Sequence, residues 1–346
     1  MPGADRRRRS RRPRRAAVVA TLAALAITAP ALPAGATAAT SARAGTAATA
    51  SPPALAAPHS VAAAATEDPP FVGWTATLPA LAWQFSPTSA DDCVAGRTSC
   101  VRRTIREMER RLEPLVADCS HGAVFGLAYL RTTESYLDAA LTPGFLRDPS
   151  FVNHQDVVFA KMYFDAWDAW SAGRAERVPP AWRIAFGAAD DRRVAGVGDL
   201  LLGMNAHVNR DLPFALAAIG LVAPDGTSRK VDHDRINRML NGVVEPLVAE
   251  IAADLDPTVR VPWTPYGVGY TALLQVLQTW RESAWRHAEL LAAAPDDVTR
   301  ALVARTIELE AALTAQTIVT GTHYLPPLTS SDRRARHCAE HAATGD

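Results

Sequence analysis

Between Val101 and Thr320 the apolar side chains recur at three- and four-residue intervals, the period that gathers them on one face of an α-helix, and runs that alternate every second residue are scarce. This pattern predicts an all-α fold, a single-domain bundle of about seven helices. The first is expected from about Val101 to Ala117, and the second, capped by Ser120, runs to Ala140. Asp148-Pro149 supplies an N-cap with proline at the first helical position and opens a third helix to Trp170. After Val178-Pro179-Pro180 a short helix is expected around Trp182 to Phe186, then a longer one from Asp190 to about Asp211, ended or kinked by Pro213, which lacks the N–H that a helix interior needs. Asp232 caps the next, to about Leu255, with a bend at Pro246. A proline-rich connection from Pro257 to Pro265 leads to a long helix ending near Ala294, and Asp296 opens the last, to about Thr320.

A helix turns about 100° per residue, so each polar side chain can be placed among its neighbours. His207 shares a stripe with Gly196, Leu200, Gly203 and Met204, and Asp211 follows one turn later on the same side. The two are expected to be buried together, with the glycines admitting a close neighbour. His287 aligns with Leu273, Val276, Trp280, Ala284 and Leu291 and is expected to point inward. His233 heads the stripe Ile236-Leu240-Val244-Leu247-Ile251, and His121 follows Ser120; both read as terminal residues tucked under the core. On the third helix Asp156 falls among Phe159, Tyr163, Trp167 and Trp170, whereas His154 falls with Lys161, Asp165 and Asp168. Asp156 is therefore the buried one. An ionised carboxylate there is costly without a partner, and Arg183 or Arg210 is the expected one.

The ends of the chain differ in kind. Eight arginines between Arg6 and Arg15, an apolar stretch from Ala16 to about Leu32, and Ala36-Thr37-Ala38 form a signal-peptide pattern with cleavage expected after Ala38. The rival reading is an uncleaved membrane anchor, disfavoured by the alanine-rich stretch and by Pro30 and Pro33. Ser10-Arg11-Arg12 fits a twin-arginine export signal, although arginine is dense throughout the segment. Residues 39–69 are an Ala/Thr/Pro-rich stretch with almost no aromatics, expected to be a disordered linker. The helical domain is expected over residues 70–325, with Trp74 and Trp83 in its entry segment and residues 326–346 as a C-terminal tail. Removing residues 1–38 takes away eight arginines and Asp5 and leaves a chain acidic by about seven charges, which argues against a nucleic-acid partner. An exported chain also permits disulfides. Cys93 and Cys100 flank a short polar loop and are paired first, leaving Cys119 with Cys338 to tie the tail back.

Candidate chemistry then narrows to the buried polar groups. His207 and Asp211 form an H-x-x-x-D pair, whose spacing sets an imidazole beside a carboxylate as two ligands of zinc or a similar divalent metal require. His287 is the expected third ligand, and Asp156 a fourth ligand or a catalytic base. Such a site would lower the pKa of a bound water for ester or phosphoester hydrolysis, making the protein an extracytoplasmic metal-dependent hydrolase. The sequence has no G-x-S-x-G elbow, P-loop, G-x-G-x-x-G after a strand, or H-E-x-x-H. Glu134 and Asp234 read as carboxylates paired with Arg131 or Arg238. The alternative is a non-catalytic binding or structural protein in which the same residues are core groups. In that case surface aromatics among Trp167, Trp170, Trp182, Trp263 and Trp285 would mark a partner or glycan surface; whether the partner is a small molecule, a lipid or a protein stays open.

The segments Asp91-Asp92-Cys93, Phe151-Val152-Asn153-His154, Val178-Pro179-Pro180-Ala181-Trp182-Arg183 and the run from Leu201 to Pro213 (LLGMNAHVNRDLP) together resemble an uncharacterised bacterial domain-of-unknown-function family over about residues 70–325. That resemblance implies a single helical unit and carries no catalytic role. A weaker one-helix similarity is to the zinc-dependent phospholipase C and nuclease group, which also places H-x-x-x-D after a Leu-Gly stretch. The chain departs from that group, because Leu291 stands where its H-x-x-x-E pattern would put a glutamate after His287, and no Q-P-H follows Asp211.

Overall fold

The computed structural model describes residues 84–259, 268–326 and 330–344. The expected leader and linker, Trp74, Trp83 and Trp263 lie outside the described residues. Among these residues the chain is helical, with isolated β-bridges only at Val194–His323 and Val222–Ser228.

Helix α1 (Thr98–Ala117) follows the Cys93–Cys100 loop, and α2 (Gly122–Leu141) packs along it. Asp148 caps α3 (Pro149–Ser171), its carboxylate accepting from Phe151 N–H at 3.0 Å. A single 3₁₀ turn (Ala175–Arg177) leads to α4 (Pro180–Asp190). The expected helix start at Asp190 is corrected here: Asp190 ends α4, Arg192 takes a left-handed turn at φ 53°, and α5 (Gly196–Asn205) begins six residues later than expected.

Beyond α5 the chain does not stop at Pro213. A π-helical turn (Ala206–Asp211) intervenes, in which Leu212 N–H bonds back to His207 O, and α6 (Leu212–Ile219) continues from it. The widened turn places Pro213 in the first turn of a new α-helical segment, where a missing N–H costs little. α7 (Lys230–Asp254) and α8 (Val268–Ala293) pack on each other, and α9 (Asp297–Thr322) starts at Asp296, whose carboxylate accepts from Thr299 N–H at 2.7 Å. The expected C-terminal tail contains a further helix, α10 (Ser331–Thr344), which Cys338 bonds to Cys119.

The segment from α5 through α6 is the axis of the bundle, contacting α2, α3, α4, α8 and α9. Close approach is built into it. A Cβ on Gly203 would stand 2.2 Å from Cγ of Phe125, so only glycine lets that ring lie across the helix. No helix among the described residues is long and apolar enough to cross a membrane.

Candidate functional site

Where α2, α3, α5, the π turn, α7 and α8 meet, they leave a cavity of about 90 Å³. Its wall is mostly aliphatic, with Val244, Leu247 and Val248 from α7 and Leu273 and Leu277 from α8. Six polar side chains interrupt it: Tyr129, Thr132, Tyr136, Asp156, His207 and Arg281.

His207 is held rigidly. Its ring stacks on Phe159 at 3.4 Å between centroids with 8° between planes, and its Nδ1 lies 3.0 Å from Asp211 Oδ2. Asp211 also accepts from Trp182 Nε1 at 2.9 Å and from Arg210 Nη1 at 2.8 Å. Because a carboxylate so placed accepts, His207 carries its proton on Nδ1 and leaves Nε2 as a bare acceptor, which is buried without a hydrogen-bond partner. Burial lowers the His207 pKa, and the bond to Asp211 opposes this only in part, so the ring is neutral at neutral pH. Arg210, itself fully buried, reaches Glu308 on α9 with Nε and Nη2 at 2.8 Å. The π turn thus seats an imidazole–carboxylate–guanidinium–carboxylate chain in the core.

Asp156 lines the same cavity, and its Oδ2 is buried without a partner. Neither expected arginine is there: Arg183 makes no ion pair with it, and Arg210 is committed to Asp211 and Glu308. Burial instead raises the Asp156 carboxyl to about 8, so it is a neutral acid at neutral pH. The Tyr129 hydroxyl is likewise buried and unpartnered, and burial raises its pKa well above the ordinary value.

His207 and Asp211 are together as the spacing predicts, but His287 is elsewhere. It is half-buried and lies 3.4 Å from Glu310, because the buried face of α8 (Trp280, Arg281, Ala284, Trp285, Ala288) is rotated by roughly 60° from the expected stripe, leaving Val276 exposed. With both Asp211 oxygens engaged and His287 apart, the expected ligand set does not converge. Among the described residues no three or more of His, Cys, Asp and Glu gather to hold a metal.

His154, expected on the outer side of α3, is 2 % exposed, because the 84–97 segment folds over it; its Nδ1 meets Cys93 O at 2.8 Å and Phe85 lies against its ring. His233 is buried, with Nε2 3.1 Å from Arg281 O. His121 pairs with Asp199 at 2.7 Å, and its pKa is lowered to about 3 by burial and by nearby Arg334 and Arg192. Glu134 pairs with Arg131 as expected, whereas Asp234 pairs with Lys230 rather than Arg238. Among the described residues the named tryptophans form no surface patch: Trp182 and Trp285 are buried, and Trp167 and Trp170 pack on the core. Among the described residues five buried charged side chains escaped the sequence reading: Asp199, Asp256, Arg281, Glu308 and Arg334. Of these Arg281 was the readable one, four residues after Leu277 and eight after Leu273, a cation at helical spacing on an apolar face.

Fold and site define an all-helical protein with an apolar cavity and a buried polar chain beside it. A family model, the family of unknown function DUF5995, matches residues 101–321, and the chain belongs to that family. No curated protein and no solved structure matches it.

Proposed function

We propose that this protein is an extracytoplasmic binder of a small, mainly apolar molecule, held in the cavity among α2, α7 and α8. One observation carries this reading: an aliphatic cavity whose wall includes His207, Asp156 and Tyr129, each with a buried polar atom left without a protein partner. Buried polar atoms are nearly always satisfied, so groups of this kind at a cavity wall point to a ligand that completes them. Neutral His207 offers an acceptor, and neutral Asp156 has a proton to donate. Both can therefore meet one polar end group while the aliphatic wall takes the rest.

The test is thermal unfolding with rising concentrations of 1-butanol, beside Val244→Phe, which fills the cavity. A ligand that binds only the folded chain raises its stability by RT ln(1 + [L]/Kd), about 2.7 kcal/mol at a hundredfold excess over Kd. A saturable rise in the parent, absent in the filled variant, is expected. No rise in the parent would refute the reading.

A metal-dependent hydrolase is the second reading, favoured by one observation: His207 Nε2 and Asp156 Oδ2 supply one nitrogen and one oxygen donor at a common cavity. It requires near-stoichiometric zinc or another divalent ion in the purified protein, lost in His207→Ala while the variant stays folded. A parent that stays metal-free after incubation with zinc would end it.

A further inference from the structure

Arg281 is 3 % exposed and lines the cavity. Its Nε donates to Asn237 Oδ1 at 2.9 Å, its Nη2 to His233 O at 2.6 Å, and its Nη1 makes only a 3.4 Å contact with the Tyr136 hydroxyl. None of these partners is an anion. The neighbouring carboxylate, Glu282, is taken by Lys230 and Arg286, and Asp156 makes no ion pair with the guanidinium. Among the described residues the other deeply buried arginines, Arg210 and Arg334, each have carboxylates within 4 Å. A buried guanidinium is costly to leave uncompensated, and its planar fork matches a carboxylate.

We propose that the cavity's ligand is a short alkyl carboxylate, its head on Arg281 and the Tyr136 hydroxyl, its chain against Leu277, Val244 and Leu247. The chain length follows from volume. An apolar cavity of about 150 Å³ accommodates benzene, so one of about 90 Å³ suits a chain of a few carbons. Asn237 and His233 O hold Nε and Nη2 and fix the guanidinium plane, and Nη1, whose one protein contact is the long one to Tyr136, keeps a donor for the ligand. The inference rests on the cavity of the binding reading above but seats the polar end on Arg281 instead of on His207 and Asp156, and the experiment separates their failures.

Isothermal titration of the full chain with butanoate, 1-butanol, butylammonium and butyl phosphate is the measurement. Butanoate is expected to bind at least about tenfold more tightly than butanol, the equivalent of one charge-assisted hydrogen bond, and butylammonium not at all. Arg281→Met should erase the preference for butanoate while leaving butanol binding in place. If Arg281→Met does not fold, Tyr136→Phe, which weakens the butanoate preference alone, and the ligand series on the parent still decide. Butanol bound as tightly as butanoate would overturn the carboxylate inference and leave the binding reading standing. Butyl phosphate bound above butanoate would overturn the carboxylate in favour of a phosphate head. If no ligand binds, both readings fall.

Discussion

Asp156 shows how much one side chain can cost when the fold withholds a partner. Its carboxyl, raised by burial to about 8, has an ordinary value of about 4. The folded chain therefore keeps a proton that the unfolded chain releases as the pH rises through this window. By linkage the destabilisation is absent below about pH 4, grows by about 1.4 kcal/mol per pH unit, and levels off above about pH 8. Asp156→Asn, which stays neutral, is expected to match the parent below about pH 4 and to exceed it by up to about 5 kcal/mol near pH 8, as read from urea unfolding at a series of pH values. A gap independent of pH would show that the carboxyl is ionised in the fold. The burial of Asp156 was legible because its neighbours at helical spacing are aromatic. Its lack of a partner was not, because that depends on Arg210 being claimed by Glu308, a contact across 98 residues.

At the level of elements, the helix carrying His207 was readable and its interruption was not. Spacing gave the His207–Asp211 contact, since four residues span about one turn in an α-helix and in the wider π turn alike. Pro213 was read as an end or a kink because proline opposes an ordinary helix; a turn one residue wider, just before it, carries the chain past it. On α8 the correct face was missed by roughly 60°, enough to exchange Arg281 for His287 at the cavity. Gly203 offers a test of the close packing that positions the axis. In an unconstrained helix Gly→Ala stabilises by about 1 kcal/mol. Here the new Cβ would meet Phe125 at 2.2 Å, so Gly203→Ala is expected to destabilise by about 1–3 kcal/mol. Adding Phe125→Leu should recover part of that loss in a double-mutant cycle. A stabilised Gly203→Ala would show that the ring is free to move.

The whole molecule is closed by its far end. Arg334 of α10 donates to Ser120 O at 2.8 Å and lies within 4 Å of Asp199 and Asp256, while Cys338 bonds to Cys119 across 219 residues. The pairing was legible from the short Cys93–Cys100 loop and elimination. The helix that presents Cys338 was not, because its arginine-rich sequence gives little apolar periodicity. Cys338→Ser is expected to lower stability by about 3–5 kcal/mol, the scale for so long a loop, with faster tryptic cleavage at Arg333 and Arg336. Unchanged proteolysis would show that packing alone holds α10. The same arrangement gives the chain a way to signal damage. Clipping after Thr322 and reducing Cys119–Cys338 would free α10 and uncover, at one place, a thiol and the carboxyls of Asp199 and Asp256. One alkylating reagent aimed at residue 119 would then count the molecules opened in this way in a population.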